Sequence, residues 1–181
     1  MNSPRPLSPD LRVLVDLFYR STSALGDFAE LKDAELPQPY RDLLAHDKHM
    51  TVTVEAFHGC SVDVEVLDVR RTATHYSRKI ILRRQSDRRV VLFGLVRLTL
   101  SFLADDVRKE IESERIPLGR VLIEHNVLRN VRLLSLWQVE PGAELSELFG
   151  QSTGQRCYGR TALIYCNGVP AVELLEIVPA V

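Results

Sequence analysis

The feature that most constrains the fold is a pair of apolar runs, residues 157–166 and 169–178, separated only by Asn167 and Gly168. Both turn residues tolerate positive φ, which the tightest hairpin turns require, so the two runs predict a β-hairpin. Strands joined by so short a turn have to be antiparallel. The end of the chain therefore predicts an antiparallel sheet.

A second hairpin is predicted nearer the middle of the chain. Apolar residues occupy even positions in residues 75–84 and 89–100, with a polar turn at Gln85–Arg88 between them. The same alternation runs through residues 52–66, where it predicts a long strand, or two strands, with a bend at His58–Gly59.

Most of the remaining segments carry helical spacing of their apolar residues. Helices are predicted from Asp10 to about residues 21–26, then at 39–45, 103–115, 119–124 and 144–149. With a further strand at 127–139, these elements predict an α+β fold with a six-stranded antiparallel sheet and flanking helices. Residues 10–181 are expected to form this single domain behind a flexible, proline-rich tail at 1–9.

The composition argues against several classes of function. The formal net charge of −1, from 23 Lys and Arg against 24 Asp and Glu, is unlike the basic surface that a nucleic-acid partner needs. No run approaches the roughly 20 apolar residues of a membrane span, and the beginning of the chain is unlike a signal peptide, so no membrane insertion is expected. Three cysteines without metal-pair spacing indicate free thiols in a reducing, cytoplasmic location.

Two charged residues interrupt apolar strand faces. Arg78 lies between Tyr76 and Ile80 on the even face of its strand, which predicts that its guanidinium points inward. Glu176 shares a face of the last strand with Leu174. A buried charge needs a partner, because burying it alone is energetically costly. The two side chains could simply pair with each other, or they could hold a bound acid between them.

Other groups of residues carry less chemistry. The segment His46–His49 contains residue types that bind metals, but no third ligand is evident, so no metal is expected. The sequence has neither a nucleophile elbow nor the glycine patterns of nucleotide-binding loops. We therefore expect no cofactor.

Four segments together resemble the chorismate pyruvate-lyases and the wider chorismate lyase-like superfamily. They are residues 43–51 (LLAHDKHMT), residues 76–80 (YSRKI), residues 117–122 (PLGRVL) and the terminal hairpin, from Gly159–Arg160 to Glu176–Pro179. They occur in the family's order and span about residues 40–181.

The resemblance implies a ligand cavity enclosed beneath helical flaps, with roles for four residues. Arg78 would hold a carboxylate of the substrate or product. Main-chain groups at Met50 and Leu118 would line the carboxylate end of the cavity. Glu176 would bind a ring hydroxyl at the far end, and Arg78 and Glu176 would be the catalytic residues.

One departure from the family pattern leaves the glutamate open. Counted from the hairpin glycine, the family's glutamate falls at Leu175, one residue before Glu176. A bulge in the last strand would bring Glu176 into place, whereas without a bulge Glu173 has the right parity. The sequence Ile-Val-Pro at 177–179 favours Glu176.

The activity implied by the resemblance is a carbon–oxygen lyase that cleaves chorismate into 4-hydroxybenzoate and pyruvate without a metal or cofactor. The alternative is a non-catalytic domain of the same fold that binds or senses a small aromatic acid. The superfamily includes ligand-sensing domains of transcription regulators, but the first 40 residues leave little room for a preceding DNA-binding domain. The lyase is the favoured expectation.

Overall fold

The computed structural model describes residues 10–127, 129–152 and 154–181, so the tail predicted at 1–9 lies outside the described residues. Within them, seven strands form one antiparallel sheet in the order β1-β5-β6-β7-β4-β3-β2. The strands are β1 (Gly26–Leu31), β2 (Val62–Arg71), β3 (His75–Arg84), β4 (Val90–Thr99), β5 (Arg129–Pro141), β6 (Cys157–Cys166) and β7 (Val169–Val178). The α+β class and the antiparallel sheet are confirmed, with one strand more than predicted.

Both predicted hairpins are present. In the turn between β6 and β7, Asn167 and Gly168 adopt φ values of 52° and 85°, the left-handed conformations that an Asn-Gly turn requires. β3 pairs with β4, and β4 pairs in turn with β7, so the two hairpins lie side by side in the sheet. The strands that carry Arg78 and Glu176 are therefore separated only by β4.

Helices cover both faces of the sheet. They are α1 (Leu11–Val15), α2 (Thr22–Leu25), α3 (Tyr40–Leu44), α4 (Met50–His58), α5 (Asp105–Glu112), α6 (Leu118–Glu124) and α7 (Ala143–Phe149). The side chain of Asp10 accepts a hydrogen bond from the Arg12 main chain and caps α1, as expected of a helix N-cap. No helix among the described residues is long and apolar enough to cross a membrane.

The strand predicted at 52–66 is wrong in its first half, which is helix α4. The residues of α4 that are buried are Met50, Thr51 and Val54, and this spacing places them on one side of a helix. Gly59 follows at φ 64° and ends the helix in the left-handed conformation. The apolar residues of this short β-branched run have a spacing that fits both a strand and a helix. Packing against the sheet favours the helix.

The additional strand, β1, pairs with β5 at one edge of the sheet. Its six residues have no regular alternation of buried and exposed side chains, so the sequence carries no strand signal there. Gly26 begins the strand, and a Cβ at this position would lie 2.6 Å from the carbonyl oxygen of Glu140. The close approach of the two backbones therefore depends on glycine.

The apolar core is divided by the sheet. On one face, α1, α2 and α7 pack against side chains such as Phe93 and Ile177. The opposite face carries two clusters, one beneath α3 and α4 and one beneath α5 and α6. The candidate site lies on this second face, between the two clusters.

Candidate functional site

An internal cavity of about 40 Å³ lies between the sheet and the N-termini of α4 and α6. Its apolar walls come from both clusters on this face of the sheet. The cavity brings together all four residues singled out from the sequence. Its lining consists of His49, Met50, Thr51, Val64, Arg78, Ile80, Leu82, Leu92, Val96, Pro117, Leu118, Gly119, Val131, Arg160, Ile164, Leu174 and Glu176.

The cavity is small for a ring-shaped ligand. A volume of 40 Å³ accommodates a few water molecules, since one water occupies roughly 10–15 Å³ on this measure. A cavity that binds a benzene ring is nearer ~150 Å³. Binding of an aromatic acid therefore requires the cavity wall to move outward.

Arg78 is the most deeply buried cation that lines the cavity without an acidic partner. Its side chain extends from the middle of β3, and only 1% of the residue is exposed. One terminal nitrogen donates a long hydrogen bond of 3.4 Å to the carbonyl oxygen of Ile111, in the last turn of α5. The Nε hydrogen has no acceptor among the described residues.

The surroundings of Arg78 only partly compensate its charge. Burial lowers the pKa of the guanidinium from its ordinary value, while the Tyr76 hydroxyl and the Glu114 carboxylate oppose this shift. Glu114 is engaged elsewhere, because it accepts a hydrogen bond of 3.0 Å from Tyr76. No carboxylate in the described part of the chain forms an ion pair with Arg78, so the folded protein retains an unneutralised buried cation.

Glu176 lies on the same face of the sheet but is paired with a different arginine. Arg160 on β6 sits directly opposite Glu176 in the strand register, and its Nε lies 2.8 Å from a Glu176 carboxylate oxygen. Arg160 is fully buried. The hypothesis of a simple ion pair between Arg78 and Glu176 is therefore wrong: Glu176 takes Arg160 and leaves Arg78 without a carboxylate.

Arg160 also holds the segment that leads into α4. Its terminal nitrogens donate to the carbonyl oxygens of His46 and Lys48, over 2.9 and 3.1 Å. A further contact of 3.2 Å joins Arg160 to Nδ1 of His46. The guanidinium thus uses its donors on protein groups, so that it fixes the cavity wall and has little capacity left for a ligand.

A bulge in the last strand decides which glutamate reaches the cavity. Tyr165 pairs with Pro170 while Ile164 pairs with Val172, so one extra residue is inserted in β7. With this insertion, Glu176 faces the cavity. Glu173 lies opposite Arg97 in the register and forms an ion pair with it, with one contact of 2.8 Å.

The N-termini of α4 and α6 meet above the cavity. Neither helix has a side-chain hydrogen bond at its cap residue, which is His49 for α4 and Pro117 for α6. Met50 and Leu118, the first residues of the two helices, both line the cavity, and the N-termini that they begin have no side-chain cap. A Cβ on Gly119 would lie 3.3 Å from the His49 ring, so glycine allows the two helix ends to touch.

His49 separates the cavity from a wide groove outside it, here called the outer groove. The groove has a volume of about 1170 Å³, and His49 and Val131 line both spaces. The groove is lined by Asp47, His49, Asn126, Val127, Arg129, Asn130, Val131, Arg132, Tyr165 and Gly168. The His49 ring is therefore part of the wall between the cavity and solvent.

Arg129 holds the outer side of the His49 ring. The Nε of Arg129 donates a hydrogen bond of 2.8 Å to Nε2 of His49. Burial, reinforced by the charges of Arg129 and Arg160, lowers the pKa of His49 to about 4. The imidazole is therefore neutral near pH 7, as it has to be to accept a hydrogen bond from a guanidinium.

The sequence missed Arg160, His49 and Arg129 as functional residues. Arg160 had the same signal as Arg78, because it alternates with Ala162 on an otherwise apolar strand face. His49 was considered only as a metal ligand. In the described part of the chain, no group of three or more His, Cys, Asp and Glu residues could hold a metal ion.

Comparisons with known proteins show the fold. No protein-family model matches the chain, and no curated protein matches it in sequence. The effector domain of PhnF from Mycobacterium smegmatis aligns with a TM-score of 0.56 and 12% identity, over 73% of this chain and 88% of that domain. A longer PhnF structure aligns with a TM-score of 0.54 and 12% identity, over 72% of this chain and 63% of that chain. The chain thus spans less than two thirds of the longer structure.

A weaker similarity is to the ligand-binding domain of a GntR-family transcriptional regulator from Bordetella bronchiseptica. The TM-score is 0.47 at 14% identity, over 65% of this chain and 85% of that domain. The two PhnF alignments, whose TM-scores exceed 0.5, show a shared fold and no more.

The expectation of a carbon–oxygen lyase is wrong. The two structures aligned above with a TM-score over 0.5 are PhnF and its effector domain, and neither is described as a lyase. The expected cleavage of chorismate into 4-hydroxybenzoate and pyruvate is therefore wrong as well.

The two buried arginines predict opposite effects on stability. Arg78→Met should raise the free energy of unfolding of the ligand-free protein by about 1–3 kcal/mol, because it replaces an uncompensated buried cation with an apolar side chain of similar length. Arg160→Met should lower it by about 3–5 kcal/mol, since it leaves Glu176 buried without its partner. Urea denaturation followed by circular dichroism measures both.

Arg83→Met is the matched control, because Arg83 lies on the same strand as Arg78 and forms a half-exposed ion pair with Glu65. Its free energy of unfolding should change by less than about 1 kcal/mol. A marked loss of stability in Arg78→Met would show that this guanidinium is already compensated inside the protein.

Proposed function

We propose that the chain is a non-catalytic ligand-binding domain that senses a small organic acid, and that Arg78 binds the acid group. The observation that carries this proposal is the buried Arg78 guanidinium, which lines an internal cavity and has a free Nε donor and no ion pair among the described residues. A carboxylate or a comparable anion supplies both the missing charge and the missing acceptor.

The walls of the cavity suit the rest of such a ligand. Apart from its two arginines and Glu176, the cavity is lined mainly by aliphatic side chains of the sheet, such as Ile80, Leu92 and Leu174. An apolar cavity with a few convergent polar groups is the usual form of a small-molecule site. An acid with a compact apolar body, such as an aromatic acid, would place its body against the aliphatic walls and its acid group at the polar side chains.

The helix ends add to the preference for an anion. Met50 and Leu118, the first residues of α4 and α6, line the cavity, so the N-termini of both helices are close to it. Their partial positive charge favours an acid group placed between them and Arg78. Glu176 keeps one carboxylate oxygen outside its pair with Arg160 and could accept a hydrogen bond from a ligand hydroxyl.

The sensing part of the proposal follows the likeness in fold to the PhnF effector domain and the small size of the cavity. A volume of 40 Å³ must expand before an aromatic acid enters, so occupation is coupled to movement of α4 or α6. A domain whose shape depends on occupation can report the concentration of its ligand.

The proposal predicts that acids bind and that their neutral analogues do not. Isothermal titration calorimetry with benzoate and 4-hydroxybenzoate, each compared with its amide, should show binding of at least one acid and at least about tenfold weaker binding of the matching amide. Arg78→Met should weaken binding of that acid about a hundredfold or more, because a charge-assisted hydrogen-bonded pair is lost from a buried site.

Arg83→Met should bind the same acid with the affinity of the unaltered chain. A weaker affinity in Arg78→Met alone would then be due to the guanidinium in the cavity and not to the loss of any arginine. Undiminished acid binding by Arg78→Met, or equal affinity for acid and amide, would refute the proposed role of Arg78. If neither acid binds at millimolar concentration, the proposed aromatic-acid ligand is wrong.

A further inference from the structure

His49, at the meeting point of α4 and α6, lines both the cavity and the outer groove, as Val131 also does. Its ring packs against Gly119 on one side and accepts the hydrogen bond from Arg129 on the other. A ligand that passes from the outer groove to the cavity therefore meets this ring.

The two helices that flank the ring are fixed to each other. Arg120 on α6 forms an ion pair with Glu55 on α4, and Glu55 also accepts a hydrogen bond of 3.0 Å from the Val62 main chain. Separation of α6 from α4 breaks the ion pair between Arg120 and Glu55, whereas rotation of the His49 side chain does not. Movement of the ring is thus the less costly way to open the wall.

The His49 backbone can stay in place while the ring moves. Its carbonyl oxygen accepts hydrogen bonds from the main chain and the hydroxyl of Thr53, over 3.2 and 3.3 Å, as part of helix α4. The ring itself has one hydrogen bond to the remainder of the described chain, the contact of 2.8 Å from Arg129. Rotation about the side-chain bonds of His49 costs that one hydrogen bond.

We propose that the His49 side chain is a gate between the outer groove and the cavity, and that Arg129 holds the gate closed. This inference rests on the proposed function, because the molecule that passes the gate is the acid. A carboxylate is a stronger partner for a guanidinium than a neutral imidazole is. An acid that arrives in the outer groove therefore competes for Arg129, releases His49 and opens its own way to Arg78.

The gate is tested by access to the cavity, with no ligand required. Val96 lines the cavity opposite Arg78 in the register and is 4% exposed, so a Val96→Cys thiol reports access. The parent for all variants carries Cys60→Ser, because Cys60 is the one cysteine that is not buried. Mass spectrometry follows the labelling of the Val96→Cys thiol by a negatively charged methanethiosulfonate reagent.

Removal of either partner should speed labelling. Arg129→Ala should raise the labelling rate about tenfold, as expected from loss of a hydrogen bond to a charged group. His49→Ala should raise it at least as much, and adding Arg129→Ala to His49→Ala should have no further effect, because Arg129 acts through His49. Arg132→Ala, in the same groove, should change the rate less than about twofold, within the scatter expected of a surface substitution.

An internal control separates opening of the cavity from general unfolding. Cys157 is fully buried on the opposite face of the sheet, and its labelling in the same samples reports general unfolding. Labelling of the Val96→Cys thiol that rises in step with Cys157, or that is unchanged in both Arg129→Ala and His49→Ala, overturns the gate. Because calorimetry with acids tests Arg78 separately, failure of the gate and failure of the proposed function are distinguishable.

Discussion

The guanidinium of Arg78, buried without a carboxylate partner, is the constraint on which the site depends. A buried cation of this kind lowers the stability of the ligand-free protein, because the sheet and α5 offer it only a long hydrogen bond to Ile111 and the influence of Tyr76 and Glu114. The same buried cation gives the cavity a strong preference for an anion, because a bound anion neutralises the charge and accepts a hydrogen bond from the free Nε donor. In the proposed function, the position that lowers stability is the one that binds the acid.

The other buried arginine shows what a compensated site looks like in the same cavity. Arg160 is as deeply buried as Arg78, yet it has Glu176 opposite it in the sheet and two carbonyl oxygens of the segment before α4. Its charge is balanced and its donors are occupied, so it stabilises the wall. The contrast supports a structural role for Arg160 and the proposed binding role for Arg78, although both side chains are buried and line the same cavity.

The four residues singled out from the sequence line one cavity, whereas the activity inferred for them was wrong. Period-two alternation predicted that Arg78 points inward, because side-chain direction in a strand follows from position. The choice of Glu176 over Glu173 came instead from the family resemblance at residues 177–179. The sequence could not predict the pairing of Arg160 with Glu176, which depends on a bulge in β7, or the contact of His49 with Arg129, which are 80 residues apart. It took α4 for a strand because a short β-branched run fits both periods. The activity was wrong because one fold hosts enzymes and sensors, and motifs that reflect the fold do not separate them.

The central claim is tested most directly by the nuclear magnetic resonance signal of the Arg78 Nε–H group, identified in isotope-labelled protein by its absence from Arg78→Met. Titration with an acid that the protein binds should shift this signal strongly and slow the exchange of its hydrogen with water, because a bound acid group shields it and accepts its hydrogen bond. If the acid binds while the signal and its exchange rate stay unchanged, the acid is bound elsewhere and Arg78 is not the residue that binds it.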